Sequence, residues 1–183
     1  MDRILDAALE VFSQRGFRGG SLNEVATRSG YTRAGLLHHF PSKDAILVAL
    51  LERRDDALGV TDLVVGSSLT LSELADQVID GLDELLERRD LILLAHMMAA
   101  ESGGDDHPAA GWVRDRDRLL RSGIAAAVQC SITVGELPEG TDPDVLASVV
   151  LGVLQGLQTQ WLVDPESVDP KAGMRALRRL VLG

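Results

Sequence analysis

The chain is punctuated at short intervals: stretches of roughly 8 to 20 residues with apolar side chains at i, i+3/i+4 and i+7/i+8 spacing are opened by capping residues and closed by glycine or proline. In the first stretch Ile4, Leu5, Ala8, Leu9 and Phe12 form one stripe and Gly16 stands at a stop position, which predicts a helix over about 2–15. Ser21 and Glu24 form an S-x-x-E capping box ahead of a second helix, about 22–29. Gly30 supplies a residue that takes a positive φ at low cost. Thr32 caps a third helix, with Tyr31 stapled against Leu36, and Pro41 ends it near Phe40. Ser42 then caps a longer helix that starts at Lys43.

The same punctuation continues. Thr70 and Glu73 form a capping box before Leu74, Val78, Leu82, Leu85 and Leu86, predicting an amphipathic helix over about 71–88. Further helices are expected over 91–101, stopped by Gly103 and Gly104, and from Pro108 to about 131. Gly135, Pro138, Gly140 and Pro143 mark a loop. The helix expected over 144–163 is apolar around most of its circumference and must be covered on more than one side. Pro165 and Pro170 bracket a turn before a last helix, about 171–182. Aromatic residues are only 3% of the chain, so the side chains that a sandwich or barrel needs are scarce. The expected fold class is all-α, with about nine helices and no internal repeat.

Several classes are disfavoured. Cys130 is the lone cysteine and no secretion signal opens the sequence, so a cytoplasmic location is expected. The longest apolar runs, 91–100 and 145–157, fall short of the ~20 residues that cross a bilayer, so no membrane span is expected. No H-E-x-x-H, phosphate loop, G-x-S-x-G or dinucleotide fingerprint is present, so neither enzymatic activity nor a cofactor is expected. His38 and His39 diverge by ~100° on a helix, and with no third ligand at zinc-like spacing no metal is expected. The acidic stretch from Glu101 to Asp106 lacks EF-hand spacing and is expected to be a solvated loop.

Charge is distributed unevenly. The net charge of -10 argues against a polyanionic partner. Within residues 1–54, however, basic side chains (Arg3, Arg15, Arg18, Arg28, Arg33, Lys43, Arg53, Arg54) outnumber acidic ones, and the rest of the chain is strongly acidic. A short nucleic-acid-facing segment joined to an acidic body follows from that asymmetry. Two short helices across a glycine turn, the second reading Arg33-Ala34-Gly35-Leu36-Leu37-His38-His39, fit a helix-turn-helix. With Ala26 small at the helix contact and Leu36 and Phe40 facing inward, Arg33, Gly35, His38 and His39 are left on outer or flanking surfaces.

These residues resemble the TetR family of transcriptional regulators. The resemblance runs from Ile4 to Leu50: I-L-x-A-A-L-x-V-F, Gly16-Phe17, the Ser21 cap, Val25-Ala26, Ser29-Gly30-Tyr31-Thr32, and His39-Phe40-Pro41-Ser42-Lys43-Asp44. It implies a helix-turn-helix DNA-binding domain over residues 1–50, with its recognition helix at about 32–39, and a helical ligand and dimerisation domain over 51–183. By position it puts phosphate and nearby base contacts at Ser21 and Asn23, the recognition face at Thr32, Arg33, Gly35 and His38, and the backbone clamp at His39 and Lys43. Arg33 suits the O6/N7 edge of guanine. Where the family usually has a tyrosine that contacts the DNA backbone, this chain has Leu37.

The resemblance implies a repressor released from a palindromic double-stranded DNA operator by a small molecule. Leu82, Leu86, Leu93, His96, Met97 and Trp112 are the candidate lining of a mostly apolar effector pocket, with His96 as its polar anchor. Homodimerisation is expected through 144–163 and 171–182, at Val149, Val153, Gly156 and Trp161. The helix beginning at Lys43 is the expected lever between the two functions. A ligand-independent DNA-binding regulator or an activator is the alternative.

Overall fold

The computed structural model describes residues 1–57, 68–103 and 106–183, so Gly104 and Asp105 of the expected stop and acidic loop lie outside the described residues. Among the described residues the chain forms helices and no strand: α1 (Asp2–Gly19), α2 (Leu22–Ser29), α3 (Arg33–His39), α4 (Lys43–Ala57), α5 (Leu71–Glu87), α6 (Arg89–Glu101), α7 (Ala110–Thr133), α8 (Pro143–Val163) and α9 (Pro170–Leu182). The described residues divide into two compact units, 1–57 with 88–103 and 106–115, and 68–87 with 116–183.

The first unit has one core. Ile4, Ala8, Val11 and Phe12 of α1 are buried with Val25 and Ala26 of α2, Leu36 of α3, and Ile46, Leu47 and Leu50 of α4. Leu91, Leu94 and Met98 of α6 belong to the same cluster. Packing keeps all of α4, which runs past residue 50, and all of α6 with the N-terminal helices.

Gly16 does not end α1, as its position as a stop suggests. It leaves helical geometry at φ 70, ψ 169, and the helix resumes as far as Gly19. That backbone region is open essentially to glycine alone. The redirected chain brings Gly20 against the body of α1, where a Cβ would stand 2.8 Å from Val11 Cγ1 and 2.9 Å from Phe12 Cδ1.

In the second unit Leu71 and Leu74 of α5 pack with Ile124, Ala127 and Val128 of α7 and Ala147 and Leu151 of α8. Ile79, Leu82 and Met174 form a smaller cluster, joined by Val153, Leu154 and Leu157. α8 and α9 each begin one residue earlier than the sequence suggests, at Pro143 and Pro170. Asp142 caps α8 by accepting from the amides of Asp144 (3.0 Å) and Val145 (3.1 Å). Asp169 accepts from the amide of Ala172 at 3.0 Å. A proline in the first helical position loses no hydrogen bond, because its amide would have no intrahelical partner. Pro108 does not act this way: α7 starts at Ala110, and His107 receives the amide of Ala109 on Nδ1 at 3.2 Å.

α8 is also longer than its longest apolar run. As a continuous helix of 21 residues it is long and apolar enough to cross a bilayer by length and composition alone, which the interruptions at Ser148 and Gln155 conceal in the sequence. Gln155 is engaged within the unit, donating to Asp117 at 3.3 Å.

A polar staple ties the start of α5 to the end of α7. Ser131 is fully buried; its Oγ accepts from the Leu71 amide at 2.7 Å and donates to Glu136 at 2.8 Å, and Ser72 donates to the same carboxylate at 2.8 Å. The hydrogen bond from Ser131, opposed by burial and seconded by Ser72, holds the Glu136 carboxyl below its ordinary value. A depressed carboxylate contributes stability that is complete above its unfolded-state pKa and is lost as pH falls through the lower folded one. The urea midpoint of E136Q is therefore expected to fall less than that of the wild type between about pH 6 and about pH 3. Equal falls in the two proteins would refute the role of this staple.

Candidate nucleic-acid interface

The helix-turn-helix is built by three local devices. Ser21 Oγ accepts from the Glu24 amide at 3.2 Å and starts α2. The Glu24 carboxylate does not complete the capping box; it pairs with Arg15 at 3.1 Å and Arg28 at 3.0 Å and so ties α2 to α1. Gly30 ends α2 at φ 75, ψ 21, in the left-handed region, and its amide bonds back to Ala26 and Thr27. Thr32 then caps α3, its Oγ1 accepting from the Gly35 amide at 3.0 Å. Leu36 is fully buried and Phe40 nearly so, which fixes the rotation of α3 about its axis.

That rotation decides what faces outward. Ser21, Asn23, Thr32, Arg33, His38 and His39 are exposed, while Gly35 and Lys43 are half-buried. Tyr31 meets His39 edge-on at 5.5 Å, and His38 and His39 are 5.7 Å apart. Leu37, in the usual tyrosine position, is half-buried and packs on the core. Among the described residues no group of three His, Cys, Asp or Glu side chains could hold a metal ion.

Lys43 opens α4 beside the break in α1. Its Nζ lies 4.4 Å from the centre of the Phe17 ring and donates to the Arg18 carbonyl at 3.4 Å. Burial pulls its pKa below the ordinary lysine value, and the Asp44 and Glu101 carboxylates oppose the shift.

Glu101 is the residue that the sequence conceals. Instead of opening a solvated loop, it closes α6 half-buried, and its Oε2 accepts from the Phe17 amide at 3.2 Å. A Cβ on Gly16 would collide with its carboxylate. His107 Nε2 lies 3.4 Å from the same Oε2, and the buried His107 ring meets Phe17 edge-on at 5.2 Å. Because Nδ1 accepts from Ala109, the ring proton of neutral His107 is on Nε2, facing Glu101. The only sequence signal was Gly16-Phe17 itself, since an acidic side chain that caps a helix 84 positions earlier in the chain leaves no local pattern.

A second link joins α4 to α6 and α7. Arg54 is buried, with Nε donating to the Leu91 carbonyl at 2.9 Å and Nη1 to Asp55 at 2.7 Å. Trp112 Nε1 donates to the other Asp55 oxygen at 2.9 Å. Of the six side chains expected to line a pocket, Leu93, His96, Met97 and Trp112 are half-buried in the first unit, and Leu82 and Leu86 belong to the second. Of the four expected at a dimer interface, Val149 is 49% exposed, whereas Val153 packs partly into the second unit; Gly156 and Trp161 are half-buried.

Capped short helices, a left-handed glycine turn and a polar outer face on the second helix define a helix-turn-helix DNA-binding unit. Residues 4–50 match the family described as "Bacterial regulatory proteins, tetR family", and residues 105–183 match "BetI-type transcriptional repressor, C-terminal". The chain is 30% identical over 163 residues to the transcriptional regulator SrpR of Pseudomonas putida, covering 87% of this chain and 74% of that protein. It is 29% identical to the transcriptional regulator AcrR of Shigella flexneri, covering 94% and 82%. The fold is shared with SmeT, the repressor of a Stenotrophomonas maltophilia multidrug efflux pump. In its triclosan complex that structure superposes with a TM-score of 0.83 at 22% identity, covering all of this chain and 91% of that one. The chain belongs to the TetR family of transcriptional regulators.

Gly16→Ala tests the break in α1. A side chain there occupies a region that costs about 1–3 kcal/mol and also displaces Glu101. Thermal unfolding should show a loss at or above that range, whereas a variant as stable as wild type would contradict the role assigned to Gly16.

Proposed function

We propose that the chain is a repressor that binds a palindromic operator as a homodimer and is released by a small, mostly apolar effector. The observation that carries the DNA-binding part is the inward rotation of Leu36 and Phe40, which leaves Thr32, Arg33 and His38 on the outer face of α3. In this reading Arg33 and Thr32 contact bases, Ser21 and Asn23 contact phosphates and nearby bases, His38 shares the recognition face with Gly35, which allows close approach, and His39 and Lys43 clamp the backbone. A DNA partner places the protein in the cytoplasm.

Release acts through α6. This helix packs on α1, and its last residue bonds the turn against which Lys43 rests. An effector that shifts α6 therefore shifts Glu101, Phe17 and Lys43 together. The triclosan bound to SmeT supports an apolar effector of this general kind. Leu93, His96, Met97 and Trp112, all in the first unit, are the side chains proposed to receive it.

The dimer forms through α8 and α9. Val145 and Val149 are 60% and 49% exposed on α8, Leu180 is 84% exposed on α9, and nothing stands within 4 Å of a Cβ built on Gly152 or Gly156. This apolar length of α8 is read as a face for a second copy, with Val149 and Gly156 at its centre and Val153 and Trp161 behind them. Light scattering should give a dimer at micromolar concentration, and Val149→Glu should give a monomer. A wild-type monomer at that concentration would refute the arrangement.

The deciding experiment selects bound fragments from genomic DNA and titrates the resulting operator. Arg33→Ala is expected to cost ~1–3 kcal/mol and relax base preference, whereas Lys43→Ala weakens all sequences alike. Wild-type affinity in both variants would overturn the assigned face. If triclosan releases the operator, coupling of ~1–3 kcal/mol lowers DNA affinity about 5- to 150-fold, and the operator must weaken triclosan binding by the same factor. Equal triclosan affinity with and without operator removes release by that compound.

A further inference from the structure

The basic side chains of residues 1–54 divide by partner. Arg15 pairs with Glu24 at 3.1 Å, Arg28 with Glu10 at 3.2 Å and Glu24 at 3.0 Å, Arg53 with Asp6 at 2.8 Å, and Arg54 with Asp55 at 2.7 Å. Lys43 donates to the Arg18 carbonyl. Arg3, Arg18 and Arg33 have no carboxylate partner among the described residues, and all three are exposed. A paired arginine must give up its carboxylate before it can neutralise a phosphate. An unpaired one presents its whole charge and its bidentate fork.

Arg33 is already on the recognition face. Arg3 and Arg18 stand at opposite ends of α1, and each is adjacent to the helix-turn-helix. The Arg3 guanidinium lies over the turn into α3, with Nη2 3.0 Å from where a Cβ of Gly30 would be. Gly30 is two residues before Thr32, the cap of the recognition helix. At the other end, the Arg18 carbonyl receives the Lys43 ammonium, three residues before Ser21, the cap of α2.

We propose that α1 extends the DNA interface at both ends: Arg3 binds a phosphate beside the N-terminus of the recognition helix, and Arg18 binds one next to the phosphate held by Lys43. The inference rests on reading the chain as a DNA-binding protein. These contacts carry no base information; they set affinity and register, and they let the recognition helix seat on duplex DNA of any sequence. Arg15, Arg28 and Arg53 have the same formal charge and contribute nothing to this surface, because their carboxylates stay with them.

The test measures binding of the full-length protein to a fluorescein-labelled, mixed-sequence duplex of about 30 base pairs, long enough for two half-sites, over a series of salt concentrations. Each phosphate contact contributes ~0.9 to the slope of log K against log salt. R3Q and R18Q are each expected to reduce the magnitude of that slope by about one unit per protomer. R53Q, which removes the same charge from an ion pair, should leave it unchanged. Circular dichroism melts of the three variants confirm that they fold. Unchanged slopes in R3Q and R18Q would overturn the proposal, as would an equal reduction in R53Q, which would signal a dependence on net charge alone. A reduction in only one of R3Q and R18Q would overturn the assignment of the other. Absence of salt-dependent binding by the wild type would instead overturn the reading of the chain as DNA-binding.

Discussion

The geometry of the DNA-binding unit depends on one backbone conformation. Gly16 lets α1 break and resume, and three outcomes follow from the redirected chain. Gly20 lies against Val11 and Phe12, Ser21 is placed to cap α2, and the Phe17 ring becomes the support on which Lys43 rests. An uninterrupted helix would carry Phe17 on past this position and leave α2 without its point of departure. The break frees a backbone amide at Phe17, and that donor is satisfied by a carboxylate from α6.

The helix-turn-helix is therefore not self-contained. Its core includes Leu91, Leu94 and Met98, its α1 turn is capped by Glu101, and the far part of α4 is tied to α6 and α7 through Arg54, Asp55 and Trp112. Two polar links at separated points on α4's surroundings constrain α6 more than an apolar contact alone would. Apolar surfaces slide with little directional preference, whereas an Arg54 bond to the Leu91 carbonyl and a Glu101 bond to the Phe17 amide each fix a distance and an angle. Movement of α6 must carry these partners along or break bonds that are wholly or partly buried.

The all-helical class and the N-terminal boundaries were legible because capping and periodicity are local. Ser21, Gly30, Thr32 and Ser42 act where their spacing indicates, and the Leu36 anchor follows from the stripe. The departures from expectation have separate causes. In the sequence Pro143 and Pro170 look like punctuation outside helices, although an aspartate immediately before each makes them first-turn residues. Gly16 reads as a terminus because a left-handed stop and an extended glycine break look alike in sequence. Glu101 and His107 were invisible, since their partners are set by tertiary packing. Free and ion-paired arginines also share one letter; only the positions of Asp6, Glu10 and Glu24 separate Arg53, Arg28 and Arg15 from Arg3 and Arg18.

The outward residues of α8 have a property beyond their hydropathy. Val145, Val149 and Val163 are β-branched, and in a helix valine adopts one χ1 rotamer in about 90% of cases. Flexible side chains such as methionine sample many shapes in the free state and surrender that freedom when covered. These valines have almost none to surrender. Their relief is already cast before any partner arrives, with Gly152 and Gly156 as fixed hollows between the ridges. A surface of this kind discriminates by shape: it loses little entropy on meeting a matching contour and cannot remodel itself to suit a poor one.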